Sequence, residues 1–205
     1  MVAPRSETLE DYGAQQVLRI VEEHASAVLG RSVDDLPSAE FFAGDDQGSR
    51  LDPAEYDRAS GMSVTFGAHA DHRWTVSLSH SRSDAEGDAR KNCASDLRAG
   101  VYLRCEVSTT EAGDVVTSRV WALRSMAGRG WMVVGRGRID RADPDRLWFS
   151  RSVKVVHSET FLTYAEEIVK APDLETAGTR FEVPVSDLVE IGTDPELVIP
   201  EPAHP

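Results

Sequence analysis

From Met62 onward the period of the apolar residues changes to two, which is the spacing of an extended strand with one buried face. Trp74, Val76 and Leu78 alternate with Thr75, Ser77 and Ser79. The same alternation places Val101, Leu103, Cys105 and Val107 on one face of a strand over 101–108. Glu111-Ala112-Gly113-Asp114 reads as a hairpin turn, followed by a β-branched and aromatic run over 115–123. Gly128-Arg129-Gly130 turns the chain again before 131–134, and Asp143-Pro144-Asp145 turns it before 147–156, read as the last long strand. The charged stretch 81–92 reads as a loop. This order predicts an antiparallel meander of about five or six strands.

Outside this region the period is helical. Ala14, Leu18, Val21, Ala25 and Val28 predict an amphipathic helix over 7–29, stopped by Gly30. Pro37, Gly44, Gly48 and Pro53 mark 31–60 as a turn-rich acidic connector, pinned by Phe41 and Phe42. Ser158 is placed to cap a second helix over 159–171, with Phe161, Ala165 and Ile168 on one face and Pro172 ending it. A short helix is expected over 186–191, ended by Gly192, before an extended tail. The class is therefore α+β, with the N-terminal and C-terminal amphipathic helices covering one face of the sheet. Three stretches follow: helix and connector over 1–60, the β-meander and helix core over 61–171, and a Pro-rich acidic tail over 172–205.

Cys93 and Cys105 are the chain's two cysteines. Gly100 between them can supply a turn that brings the sulfurs together, so a disulfide is expected, and with it an oxidising compartment. Two cysteines alone cannot complete a zinc site, and their spacing is not that of a Cys-x-x-Cys redox pair. Two buried free thiols are the alternative.

The net charge of −13 is unevenly distributed. Residues 1–60 hold 13 acids and 5 bases, 61–160 hold 12 and 15, and 161–205 hold 10 and 2. A mildly basic centre lies between acidic ends, a balance that argues against a nucleic-acid partner. The first residues lack the apolar stretch of a signal peptide, and no run approaches a membrane span. As written, the chain is expected in the cytosol unless a targeting segment lies outside it, which conflicts with the compartment implied by the cysteines.

His69-Ala70-Asp71-His72 is the sharpest motif for chemistry. It matches the second half of the His-x-His-x-Asp-His metal motif of metallo-β-lactamase-like hydrolases. Gly67 stands where that motif has its first histidine, and a site needs three or four converging ligands. No metal or cofactor is expected. His80 and His157 end strands, but no Gly-x-Ser-x-Gly elbow identifies a nucleophile. Arg124, Arg129, Arg136, Arg138 and Arg141 lie among Gly128, Gly130, Gly135 and Gly137, where arginine and glycine could cradle an anion. With Trp121 and Trp131 close in sequence, Arg124, Arg136 and Arg138 form the expected interaction face, since arginine and tryptophan are enriched at binding hot spots.

Residues 92–134 resemble extracytoplasmic domains of actinobacterial membrane proteins and lipoproteins, some of them anti-sigma-factor-associated. The resemblance rests on Cys93, Leu97, Cys105-Glu106-Val107 and Gly113-Asp114-Val115-Val116, and it extends to the amphipathic run over 158–171, about half the chain. It implies a folded domain outside the membrane with a helix packed on a sheet, and it supplies no catalytic residues. The chain departs from it in having no membrane anchor.

The leading expectation is a non-enzymatic extracytoplasmic domain that senses or binds a protein or a small acidic ligand. A small hydrolase or metal-dependent enzyme using His69, Asp71 and His72 is the competing class. An acidic cytosolic inhibitor of a basic partner is the third.

Overall fold

An antiparallel sheet carries the fold in the computed structural model, which describes residues 9–29, 40–47, 49–69, 71–80, 86–126, 130–158 and 160–199. Its eight strands among those residues are β1 (Glu40–Gly44), β2 (Gly61–His69), β3 (His72–Ser79), β4 (Arg104–Thr109), β5 (Val115–Met126), β6 (Gly130–Val134), β7 (Leu147–Val156) and β8 (Leu162–Lys170). The order is β1-β2-β3-β8-β7-β5-β4. β5 is long enough to pair β4 over 115–120 and β6 over 122–126 along the same edge.

The α+β class stands as the sequence indicated, and several details change. The sheet is larger than the expected five or six strands. It is not a simple meander, because β8 inserts between β3 and β7. The expected helix over 159–171 is strand β8, and Leu147–Val156 is not the last strand. Ser158 caps no helix; its Oγ accepts hydrogen bonds from the Thr160 and Phe161 amides in the β7–β8 turn. The acidic connector also holds a strand, β1, and a 3₁₀ turn over Pro53–Arg58.

Four helices complete the described fold: α1 (Leu18–Leu29), α2 (Glu86–Ala99), α3 (Leu174–Arg180) and α4 (Val185–Thr193). A π-helical turn, Tyr12–Val17, leads into α1. Among the described side chains of this segment Leu9, Val17, Ile20 and Val21 are buried and Leu18 is partly buried, while those of Ala14, Ala25 and Val28 lie outside the described set. Gly30, the expected stop, lies outside the described residues.

α1 and α4 cover one face, packing Ile20, Leu188 and Ile191 with Val64, Val76, Val153 and Ala165. α3 covers the same face farther along, with Ala177 near Phe149, Val169 and Ala122. Imidazoles tie α4 down from two sides. His24 Nε2 lies 2.8 Å from Asp194 Oδ2, and His157 Nε2 lies 3.0 Å from the Gly192 carbonyl oxygen. Gly192 is inside α4 rather than its terminator.

The helices are not confined to one face, because α2 lies on the other. The expected loop over 81–92 is in fact its first half, from residue 86 onward. Apolar periodicity does not mark this helix, since Cys93 is its buried residue. Its support comes instead from Glu86 and Asp88 in the first turn, Arg98 in the last, and a Glu86–Arg90 pair at 2.8 Å. At its end Gly100 adopts φ +72°, with Val101 N–H donating to Asp96 O and Gly100 N–H to Leu97 O. This Schellman turn reverses the chain into β4. Cys93 and Cys105 form a disulfide across the reversal, with Cα atoms 5.7 Å apart.

Candidate binding site

The chemistry-bearing residues fall into separate places. In the His69–His72 segment, Asp71 is exposed and lies 3.7 Å from Lys170 Nζ, whereas His72 is buried with Nε2 2.7 Å from Glu167 Oε1. The two side chains therefore serve different partners. The side chain of His69 is outside the described set. Among the described residues no three His, Cys, Asp or Glu side chains form a group arranged to hold a metal ion. His80 is exposed beside Phe161, and His157 is engaged with Asp114, Thr163 and Gly192.

Glu167 is the centre of a buried network that local spacing could not reveal. Register places Trp74, Glu167, Arg151 and Val120 side by side on neighbouring strands. That row runs between the two apolar clusters of the covered face. Glu167 accepts from Arg151 at 2.7 Å and from the Glu182 amide at 2.6 Å, with the Val183 amide and His72 completing its shell. Arg151 also donates to the Val183 carbonyl and lies 4.4 Å from the Phe181 ring centroid. A carboxylate buried this deeply is tolerated because charged and backbone donors surround it. The network fastens the α3–α4 connection to the sheet and has no access to solvent through Glu167.

On the opposite face, Arg119 lies among the rings of Tyr102, Trp121 and Tyr164, with centroids 5.6 to 5.8 Å from its guanidinium carbon. Glu166 accepts from Ser150 Oγ at 2.5 Å. Burial raises the Glu166 carboxyl above its ordinary value of 4.5, opposed by hydrogen bonds from Ser150 and Tyr164 and by the Arg119 charge. Burial also raises the Tyr164 hydroxyl. Ser150 is fully buried, so this Ser–Glu contact cannot present a nucleophile to a substrate.

The remaining cluster is open to solvent. Arg124 of β5 and Arg138 and Arg141 of the 3₁₀ turn Arg136–Arg141 line a pocket of about 340 Å³ with Met132, Val133 and Ala142. Among the described residues none of these three arginines has an ion-pair partner. Immediately beside them β6 forms a free edge, with no strand paired to its outer side among the described residues. Trp131, Met132 and Val133 of β6 are exposed by 36%, 40% and 48%, large values for apolar side chains in a sheet.

The expected interaction face is thus divided. Arg124 and Arg138 meet at the pocket, and Arg141 joins them. Arg136 turns away and donates to the Leu103 carbonyl at 2.9 Å. Trp121 lies on the opposite face against Tyr102, and Trp131 packs edge-on to Trp148 at 4.9 Å with Arg73 above it. The Gly128–Gly130 turn lies outside the described residues except for Gly130. Arginine density in the sequence was the signal for this pocket. Which arginines converge depends on the β5–β6 register and on the 3₁₀ turn.

No protein-family model matches the chain, and comparison with curated proteins and with solved structures finds no significant similarity.

Proposed function

We propose that this protein is a non-catalytic recognition domain that binds an acidic, extended polypeptide segment along β6. The observation that carries the proposal is the juxtaposition of an apolar strand edge with three arginines, the edge unpaired and the arginines without carboxylate partners among the described residues. An open edge offers unpaired backbone donors and acceptors that a partner strand can complete. Trp131, Met132 and Val133 offer apolar contacts, and Arg124, Arg138 and Arg141 select for acid. On a chain of net charge −13, a local basic rim attracts an acidic segment that the rest of the surface repels, favouring one docking site. The Cys93–Cys105 disulfide supports an oxidising, extracytoplasmic setting. Among the described residues no helix is long and apolar enough to cross a membrane.

The test is an NMR titration with two synthetic peptides of matched length, one alternating Val with Glu and the other Val with Lys. The Glu peptide should perturb the backbone amides of 130–134, and binding should weaken as salt screens the contact. Arg124→Glu combined with Arg138→Glu should abolish the effect. Equal responses to both peptides, or shifts elsewhere in the sheet, would overturn the proposal.

A further inference from the structure

A second cavity lies on the helix-covered face, between the β4–β5 edge and the α3–α4 pair, with a volume of about 290 Å³. Its polar residues include Arg104, Glu106 and Ser118, and its apolar wall includes Leu174, Phe181 and Val185. Arg104 and Glu106 both point to this face, two positions apart on β4, so their backbones are separated by about 6.6 Å along the strand. Neither has an ion-pair partner among the described residues. Arg151 also lines the cavity; its charge is matched by Glu167, but its Nε is buried without a hydrogen-bond acceptor.

We infer that this cavity is a binding site for a free α-amino acid with an apolar side chain. Arg119 lines the cavity too, but its guanidinium lies among the rings of the opposite face. On this face the cavity therefore presents one cation and one anion without ion-pair partners among the described residues, Arg104 and Glu106, next to an apolar wall. A simple anion would meet Glu106, and a simple amine would meet Arg104. A zwitterion satisfies both, with its carboxylate toward Arg104 and its ammonium toward Glu106. The apolar side chain then lies against Leu174 and Phe181, and the volume accommodates a leucine or phenylalanine. Phe181 lies against the Arg151 guanidinium, whose carbon is 4.4 Å from the ring centroid, so this wall is in place without a ligand. This site is independent of the strand edge proposed above and lies at a different part of the sheet.

Isothermal titration with L-leucine, 4-methylpentanoate and 3-methylbutylamine tests the inference. Leucine should bind about tenfold or more tightly than either compound lacking one charge, since each lost compound interaction is a charged hydrogen-bonded pair. Arg104→Ala should weaken leucine without weakening 3-methylbutylamine, and Glu106→Gln should weaken leucine without weakening 4-methylpentanoate. Gly178→Leu provides an occlusion control. A Cβ at Gly178 meets nothing within 4 Å, so the fold accepts a side chain there while the cavity it lines is filled. That variant should remain folded and lose leucine binding. Absence of leucine binding at about 10 mM would overturn the site. So would equal binding of 4-methylpentanoate, or leucine binding unchanged in Gly178→Leu.

Discussion

Arg151 and Glu167 face one another on adjacent strands with 2.7 Å between guanidinium and carboxylate, in the row that divides the core into two apolar clusters. The pair fixes register, because a one-residue slip of β8 would carry Glu167 to the other face. It also fixes the α3–α4 connection, whose Glu182 and Val183 amides complete the carboxylate's shell. Removing one partner leaves an unmatched buried charge. Glu167→Ala should cost about 3–5 kcal/mol in denaturant unfolding, whereas the double variant Arg151→Met, Glu167→Leu should recover much of that loss. A double variant less stable than the single would show that the pair contributes more than mutual neutralisation.

The Cys93–Cys105 disulfide closes a short loop, with a sequence separation of 12, between a weakly amphipathic helix and an edge strand. Loop-closure entropy for such a span is worth about 3 kcal/mol. Replacing both cysteines with alanine should lower unfolding free energy by about that amount, and hydrogen exchange should rise first across Glu86–Ala99. Reduced wild type should behave like the double variant. Unchanged protection of α2 would mean that its docking does not depend on the cross-link.

How legible these features were depended on whether local pattern or distant pairing decided them. β3 follows from alternation, whereas β5 and β7 follow from β-branched and aromatic runs set between turn residues. β8 was hidden because Phe161, Ala165 and Ile168 happen to fall at helical spacing and Glu166-Glu167 reads as helix surface. The period-two reading was present as well, in Thr163, Ala165, Glu167 and Val169, all buried on one face. What made it unreadable was Glu167, a charge in a core position whose partners His72 and Arg151 are 95 and 16 residues away. α2 was hidden for the opposite reason, having too few apolar residues to show a stripe. For the candidate site, Arg124 and Arg138 were marked by local arginine density. Their separation from Trp121 and Arg136 required the strand faces to be known.

Gly192 and Val155 define a close approach of α4 to the sheet. A Cβ at position 192 would lie 2.8 Å from Val155 Cγ2, a stiff side chain with no exposed surface. Helix propensity alone favours Gly192→Ala by about 1 kcal/mol, but overpacking costs about 1–3 kcal/mol. The variant should therefore be neutral to about 2 kcal/mol less stable. Combining it with Val155→Ala should cost less than the sum of the two changes, because the shorter side chain relieves the contact. Strict additivity in a double-mutant cycle would mean that α4 shifts to relieve the clash.

Glu166, on the opposite face, gives a pH-dependent prediction with a defined sign. Its carboxyl is raised above 4.5 chiefly by burial, so ionisation is harder in the folded protein than in the unfolded chain. Below that value both states hold the proton and the group is neutral toward stability. As pH rises through 4.5 the unfolded chain loses its proton first, and folding stability falls until the folded carboxyl also ionises; beyond that point the loss is constant. Glu166→Gln keeps an oxygen to accept from Ser150 and Tyr164 but cannot ionise. The stability of Glu166→Gln relative to wild type should therefore rise with pH from 4.5 upward and then level off. Urea unfolding of both proteins across this range isolates the effect, because every other titrating group is common to the two. A relative stability that stays flat or falls as pH rises would show that the Arg119 charge and the hydrogen bonds outweigh burial at this position.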